Sequence, residues 1–147
     1  MILDDINQQI VKHLSDGRKS FSEIADKLSI TTNTVRARVS RLIRRGVLAI
    51  TGLVNPDKIE DHFVVIVGIN LKTMNLVQKG KEFSKLKGVV SVAVVTGRFD
   101  LIVVAFLNNK FGLSEFYTQE VSKIADVQSA ETFVVYKNYN WGVPYQL

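Results

Sequence analysis

Apolar residues recur at helical spacing through the first third of the chain and at strand spacing through the remainder. Ile6, Ile10, Val11 and Leu14 share one stripe of a predicted helix, with Asp4 and Asp5 placed to cap it and Gly17 to end it. Arg18-Lys19 connects to a second helix that starts at Ser20. Glu23 stands three residues on, in a capping-box pattern, and Ile24, Ala25 and Leu28 form the inner face. After the short turn Ser29-Ile30-Thr31, a third helix starts at Thr31 or Thr32. It runs through Val35, Val39 and Leu42 to a stop at Gly46. Two helices joined by so short a turn, with small Ala25 where they approach, predict a helix-turn-helix.

Val47 to Val54 is rich in β-branched residues and reads as an extended segment leaving the helical unit. Asn55-Pro56, followed by Asp57, Lys58, Glu60 and Asp61, marks a turn or hinge. The organisation expected is therefore residues 1–54 as a helical domain, 55–62 as a linker and 63–147 as a second domain.

That second domain reads as an internal repeat. Phe63–Leu71 resembles Phe99–Leu107, and Ser84–Val89 echoes Ser122–Val127. A helical pattern lies within each half (Leu76, Gly80, Phe83 and Lys87; Leu113, Phe116, Tyr117, Val121 and Ile124), and each half ends in a strand, Val89–Thr96 or Ser129–Tyr136. The order β-α-β-β-α-β predicts a ferredoxin-like sandwich, which makes the whole chain α+β. Two helices cover only one face of such a sheet, so the strands ought to alternate apolar and polar. Instead Val64–Val67, Val92–Val95 and Leu101–Phe106 are apolar at consecutive positions. Apolar side chains on both faces call for a partner, and a homodimer packed sheet on sheet satisfies that most simply.

Charge sharpens the picture of the first domain. The net charge is +5, and residues 1–55 carry +4 of it. Between Arg36 and Arg45 there are five arginines and no acid. A solvated helix face and a nucleic-acid footprint both fit such a cluster. Burial of Val35, Val39 and Leu42 turns Asn33, Arg36, Ala37 and Ser40 outward, where the second helix of such a motif enters the major groove. Asn pairs with adenine, Arg with guanine, and Ala or the methyl of Thr32 meets thymine. Arg41, Arg44 and Arg45 lie further along and suit phosphates, while Arg38 fits either task. A dimer would carry two such helices to half-sites ~34 Å apart, or a multiple of that.

The segments Leu3–Ile10, Asp16-Gly17-Arg18, Ile24-Ala25, Val35–Leu42 and Gly46-Val47-Leu48, with Asn55-Pro56 and Val95–Asp100, resemble the Lrp/AsnC "feast/famine" transcription regulators. The resemblance runs over almost the whole chain. It implies a winged-type helix-turn-helix, a ligand-sensing ferredoxin-like domain, dimers that assemble further into octamers, and amino acids as effectors. Ile43-Arg44 departs from the family pattern, which often has Glu at the first of these positions. By the same resemblance an effector lies near Thr96, Gly97, Arg98, Phe99 and Asp100, at a contact between dimers. The loop chemistry allows it: backbone N–H groups or Arg98 for a carboxylate, Asp100 for an ammonium. Gly97 as a hairpin glycine and Asp100 bonded to its own turn is the plainer alternative.

Other chemistries find little support. The chain has no cysteine, which removes disulfides, thiolate metal sites and a cysteine nucleophile, and suits the cytoplasm. No secretory signal opens it, and no apolar run reaches the ~18 residues of a membrane span. His13 and His62 lack metal-spaced partners, and Gly80, Gly88 and Gly97 fit no phosphate-binding loop. No cofactor is expected, nor an enzyme. The aromatic tail with Tyr139, Trp141 and Tyr145 reads as packing, on this or a neighbouring subunit, or as a lid over an effector. Two rival functions are a siroheme decarboxylase of the same two-domain build and an architectural DNA-binding protein without a ligand. The enzyme would be expected to use histidines and an aromatic motif that the second domain does not visibly carry.

Overall fold

The structure, a computed structural model, describes residues 4–145. The start of the chain (Met1–Leu3) and the end of the aromatic tail (Gln146-Leu147) lie outside the described residues. The chain divides into two compact units, Met1–Thr51 and Gly52–Leu147.

Local capping builds the first unit. Asp4 caps α1 (Asp5–Leu14), its carboxylate accepting the Asn7 N–H at 2.7 Å. Ser20 and Glu23 form the expected capping box on α2 (Phe21–Leu28): Ser20 Oγ accepts from Glu23 N–H at 3.2 Å, and Glu23 Oε2 from Ser20 N–H at 2.7 Å. Ser29 takes a left-handed conformation, φ 54°, and turns the chain into Thr31, which caps α3 (Thr32–Arg44). The three helices bury Ile10, Ile24, Ala25, Val35 and Val39 against one another, with Ile6, Leu14, Phe21, Leu28, Ile30 and Leu48 around them. Burial on this scale favours the folded unit by about 1.5–3 kcal/mol for each large side chain.

The segment after α3 departs from expectation. Residues 49–52 carry no regular structure, and only Leu53–Val54 form a strand, β1. It pairs antiparallel with β6 (Val143–Pro144) in the chain's own tail, Leu53 opposite Pro144 and Val54 opposite Val143. Nor is 55–62 a free linker. Pro56–Lys58 form a 3₁₀ turn capped by Asn55, Pro56 is buried, and His62 already opens the main sheet. Asp57 accepts hydrogen bonds from Asn138 Nδ2 (2.6 Å) and the Asn138 N–H (3.3 Å), and pairs with Lys137 Nζ (2.9 Å). The boundary thus falls before the predicted hinge, because polar and apolar partners in the tail fix that segment to the second unit.

The second unit has the expected sandwich. Strands β2 (His62–Leu71), β3 (Val89–Val94), β4 (Leu101–Asn108) and β5 (Val127–Val134) form an antiparallel sheet in the order β3-β4-β2-β5. α4 (Leu76–Phe83) and the second helix pack on one face. That second helix is irregular: Leu113–Glu115 is α-helical, Phe116–Glu120 forms a wide π turn and Val121–Lys123 a 3₁₀ turn. Thr118 Oγ1 donates to the Ser114 carbonyl and Ser122 Oγ to that of Thr118, at 2.7 and 2.6 Å. Side-chain hydroxyls that compete for carbonyls in this way loosen regular helical bonding. Val65, Val67, Ile69 and Leu71 of β2, with Leu101, Val103, Ala105 and Leu107 of β4, meet Phe83, Leu86, Phe116 and Val121 in the main core. Among the described residues no helix is long and apolar enough to cross a membrane.

The opposite sheet face is apolar too, as the consecutive runs require, and the chain covers part of it itself. Val143 packs on Val64 and Phe106, with Trp141, Val54, Ile59 and Val104 alongside, so Trp141 of the aromatic tail packs on its own chain while Tyr139 stays exposed. Further along β2, Gly68 leaves space for the Phe99 ring: a Cβ built there would lie 2.6 Å from the ring carbons. Phe99 meets Phe133 edge-on, centroids 6.5 Å apart. Ile66, Ile102 and Val104 remain half-buried and Ala93 and Phe133 exposed.

Two outcomes follow from this packing. Gly68→Ala must displace Phe99 and should cost about 1–3 kcal/mol in urea unfolding, as overpacking does. In a Phe99→Ala background most of that cost should vanish; an unchanged cost would separate the two residues. The Asn138 and Lys137 bonds hold the Asp57 carboxyl at about 2, below its ordinary 3.8. Its stabilisation is therefore complete above 3.8 and lost as pH falls through about 2. Thermal unfolding of wild type and Asp57→Asn should differ by a constant gap at neutral pH that closes across this acid window.

Candidate nucleic-acid interface and ligand loop

The first turn of α3 presents its polar side chains on a frame of local bonds. Thr31 Oγ1 accepts the Thr34 N–H at 3.1 Å and lies 2.9 Å from Thr34 Oγ1. Val35, Val39 and Leu42 are almost wholly buried, so the helix has a single possible rotation about its axis. Asn33, Arg36, Ala37, Ser40, Arg41, Arg44 and Arg45 are all exposed, and Thr32 is half-buried. Asn33, Arg36, Ala37, Ser40 and Arg44 recur at three- and four-residue intervals and share one face. Arg36 Nη1 donates to Asn33 Oδ1 at 3.1 Å, so the two outward groups hold one another. α3 contains no acidic residue, and its amino end carries the positive end of the helix dipole. The surface is suited to a polyanion.

Arg38 behaves differently from the other arginines. It is half-buried, and its Nη1 donates to Asp4 Oδ2 at 2.7 Å and to Asn7 Oδ1 at 3.1 Å. The Arg38 hydrogen bond, then the Asn7 N–H, lowers the Asp4 carboxyl from its usual range. These bonds tie the amino end of α1 to the middle of α3, a structural task beside the base or phosphate contact expected of Arg38. Its position carried a signal, since it stands three residues after Val35 and beside Val39, at the edge of the buried stripe. Its partner lies 34 residues away and carried none.

The loop expected to meet an effector joins β3 to β4. Thr96, Gly97 and Arg98 are exposed, and Gly97 has φ +121°, a conformation that favours glycine. Phe99 and Asp100 are half-buried. Asp100 Oδ2 accepts the Leu71 N–H at 2.8 Å, and the Asp100 N–H donates to Ile69 O at 2.9 Å. Its carboxylate thus serves a neighbouring strand. Arg98 pairs with Glu131 at 2.7 Å, its guanidinium 5.3 Å from the centre of the Phe99 ring. The loop is braced by the side chains that the sequence offered to a ligand. At the other end of β2 and β4, a cavity of about 480 Å³ is bounded by Glu60, Asp61, His62, Asn109, Lys110 and Tyr145. The His62 ring sits 5.0 Å from that of Phe106, and its Nδ1 is 2.7 Å from the Glu60 carbonyl oxygen. Sequence reasoning marked no residue there as a ligand site.

Comparison with known proteins places both units. Residues 3–43 match the AsnC-type helix-turn-helix domain, and residues 64–141 match the Lrp/AsnC ligand binding domain. The chain is similar to an uncharacterized HTH-type transcriptional regulator of Pyrococcus abyssi, 34% identical over 142 residues, which cover 95% of this chain and 90% of that one. The crystal structure of PH0061 shares the fold, with a TM-score of 0.80 at 24% identity over 97% of this chain and 98% of that one. So does the transcriptional regulator NMB0573 of Neisseria meningitidis in its complex with L-Met, with a TM-score of 0.72 at 19% identity, covering 99% and 97%. A helix-turn-helix with a basic exposed face and a ferredoxin-like domain, matched by both family models across most of the sequence, make this chain a member of the Lrp/AsnC family of DNA-binding transcriptional regulators.

Proposed function

We propose that this chain binds double-stranded DNA sequence-specifically as a homodimer, in the cytoplasm, and that an amino acid bound between subunits alters its assembly and operator affinity. The observation that carries the reading is the exposed, acid-free face of α3 on which Arg36 and Asn33 hold one another. In this reading Thr32, Asn33, Arg36, Ala37 and Ser40 meet base edges, while Arg41, Arg44 and Arg45 meet phosphates. Arg38 braces α3 from behind. The dimer is supported by the uncovered part of the sheet face, Ile66, Ile102, Ala93 and Phe133. Further assembly to an octamer would bring the Thr96–Asp100 loops of different dimers together. The amino-acid effector is supported by the L-Met complex of the Neisseria regulator. The loop's exposed residues and the neighbouring subunit would then supply the contacts, since Asp100 and Arg98 are engaged within the chain.

Three substitutions separate the roles. Arg36→Ala should cost about 1–3 kcal/mol on the preferred operator and relax discrimination at one base pair. Arg44→Ala should weaken binding to all DNA alike and reduce the slope of log K against log salt by about one contact. Arg38→Ala should leave that slope unchanged while lowering the thermal midpoint. Identical DNA profiles for Arg36→Ala and Arg44→Ala would contradict the division into base and phosphate contacts. For the effector, L-methionine and the other amino acids are tested by sedimentation and operator titration. Coupling of about 1–3 kcal/mol, or roughly 5–150-fold in affinity, is expected for one of them. No change in either readout across the set would remove the effector from the account.

A further inference from the structure

Asn33 is the only residue of α3 whose side chain carries a carbonyl or carboxyl oxygen, since the helix holds no Asp, Glu or Gln. That oxygen is engaged: Arg36 Nη1 donates to Asn33 Oδ1 at 3.1 Å, with both residues exposed. Arginine has no acceptor, so the amide must turn its oxygen to the guanidinium and keep its two Nδ2 hydrogens for other partners. The hydroxyls of Thr31 and Thr34 at the same helix end are engaged as well, 2.9 Å from one another, and Thr31 Oγ1 also accepts the Thr34 N–H.

Base edges tell these groups apart. An asparagine reads adenine by accepting from N6 and donating to N7 at once. Here an N6 amino group would share Oδ1 with a full positive charge, and the two sets of partly positive hydrogens repel one another. What Asn33 still offers is its Nδ2 hydrogens. They suit N7 of either purine, guanine O6 or thymine O4, and so discriminate little. Arg36 keeps the remaining hydrogens of its guanidinium, enough for the bidentate contact to guanine O6 and N7. A guanidinium already held at Nη1 also loses less freedom on meeting a base than a free one does.

We propose that Asn33 is a positioning residue for Arg36, and that the pair reads one guanine per chain in place of an adenine. The proposal rests on the reading of α3 as the helix that meets base edges. It concentrates the sequence information of this helix turn on a single base pair, with Asn33 acting through Arg36.

The test uses the full-length chain and an operator selected by wild type, with all four base pairs placed in turn at each position. Each duplex is titrated with wild type, Asn33→Ala, Asn33→Asp, Arg36→Ala and the double alanine variant. Wild type should prefer guanine at one position by roughly tenfold or more. Asn33→Ala should cut that same preference by about two- to tenfold, and should change it no further in an Arg36→Ala background. Asn33→Asp keeps an acceptor and suits the amino end of a helix. It should preserve the guanine preference while weakening binding to all duplexes alike. An unchanged guanine preference in Asn33→Ala overturns the proposal, whether or not an adenine preference is lost at a second position. So do additive losses in the double variant, and a loss in Asn33→Ala spread evenly over all positions. A switch to cytosine in Asn33→Asp overturns it too, because a carboxylate reading a base directly accepts from cytosine N4. Wild type that selects no operator overturns the reading of α3 itself, and the pairing role with it.

Discussion

The constraint on which the second unit depends is an apolar sheet face that its two helices cannot reach. β2 and β4 are apolar at consecutive positions, so the face away from α4 needs cover as much as the face towards it. The chain meets part of that need internally. Val143 and Trp141 fold back over Val64 and Phe106, and Phe99 lies over Gly68. Each cover has a further effect. The tail, once seated, offers a strand edge to Leu53-Val54 and polar partners to Asp57. Phe99, once seated, holds the loop from Thr96 to Asp100 against the sheet.

The helical unit obeys a similar logic on a smaller scale. Its apolar stripe on α3 leaves one orientation for that helix, and the orientation decides which side chains face solvent. Capping at Asp4, Ser20 and Thr31 satisfies free N–H groups at all three helix starts, which lets short helices persist in a small core. Asp4 acts twice, accepting from the Asn7 N–H and from Arg38. An arginine inside the basic run therefore also ties α1 to α3.

What was legible in the sequence is what depends on neighbours along the chain. Ser20 and Glu23 stand three apart, so their capping box is visible as a pattern. The outward set Asn33, Arg36, Ala37 and Ser40 follows from the spacing of Val35, Val39 and Leu42. The sandwich follows from the internal repeat. What escaped is carried by distant pairs of ordinary surface residues: Arg38 with Asp4, 34 residues apart, and Asp57 with Asn138, 81 apart. Asn55-Pro56 was rightly a turn signal, yet a turn that is bonded to the tail is no hinge. The apolar Val47–Val54 was rightly extended only at its end, because its strand partner comes from the far terminus. At the ligand loop, residue types suited to binding were present, and the fold uses two of them to brace itself.

The central claim is that α3 reads sequence rather than merely holding DNA. The direct test is the ratio of affinities of wild-type protein for its selected operator and for unrelated duplex of equal length, at one physiological salt concentration. A ratio of about 10³ or more is predicted. Equal affinities that fall together with added salt would contradict the claim and leave a protein that binds DNA through phosphates alone.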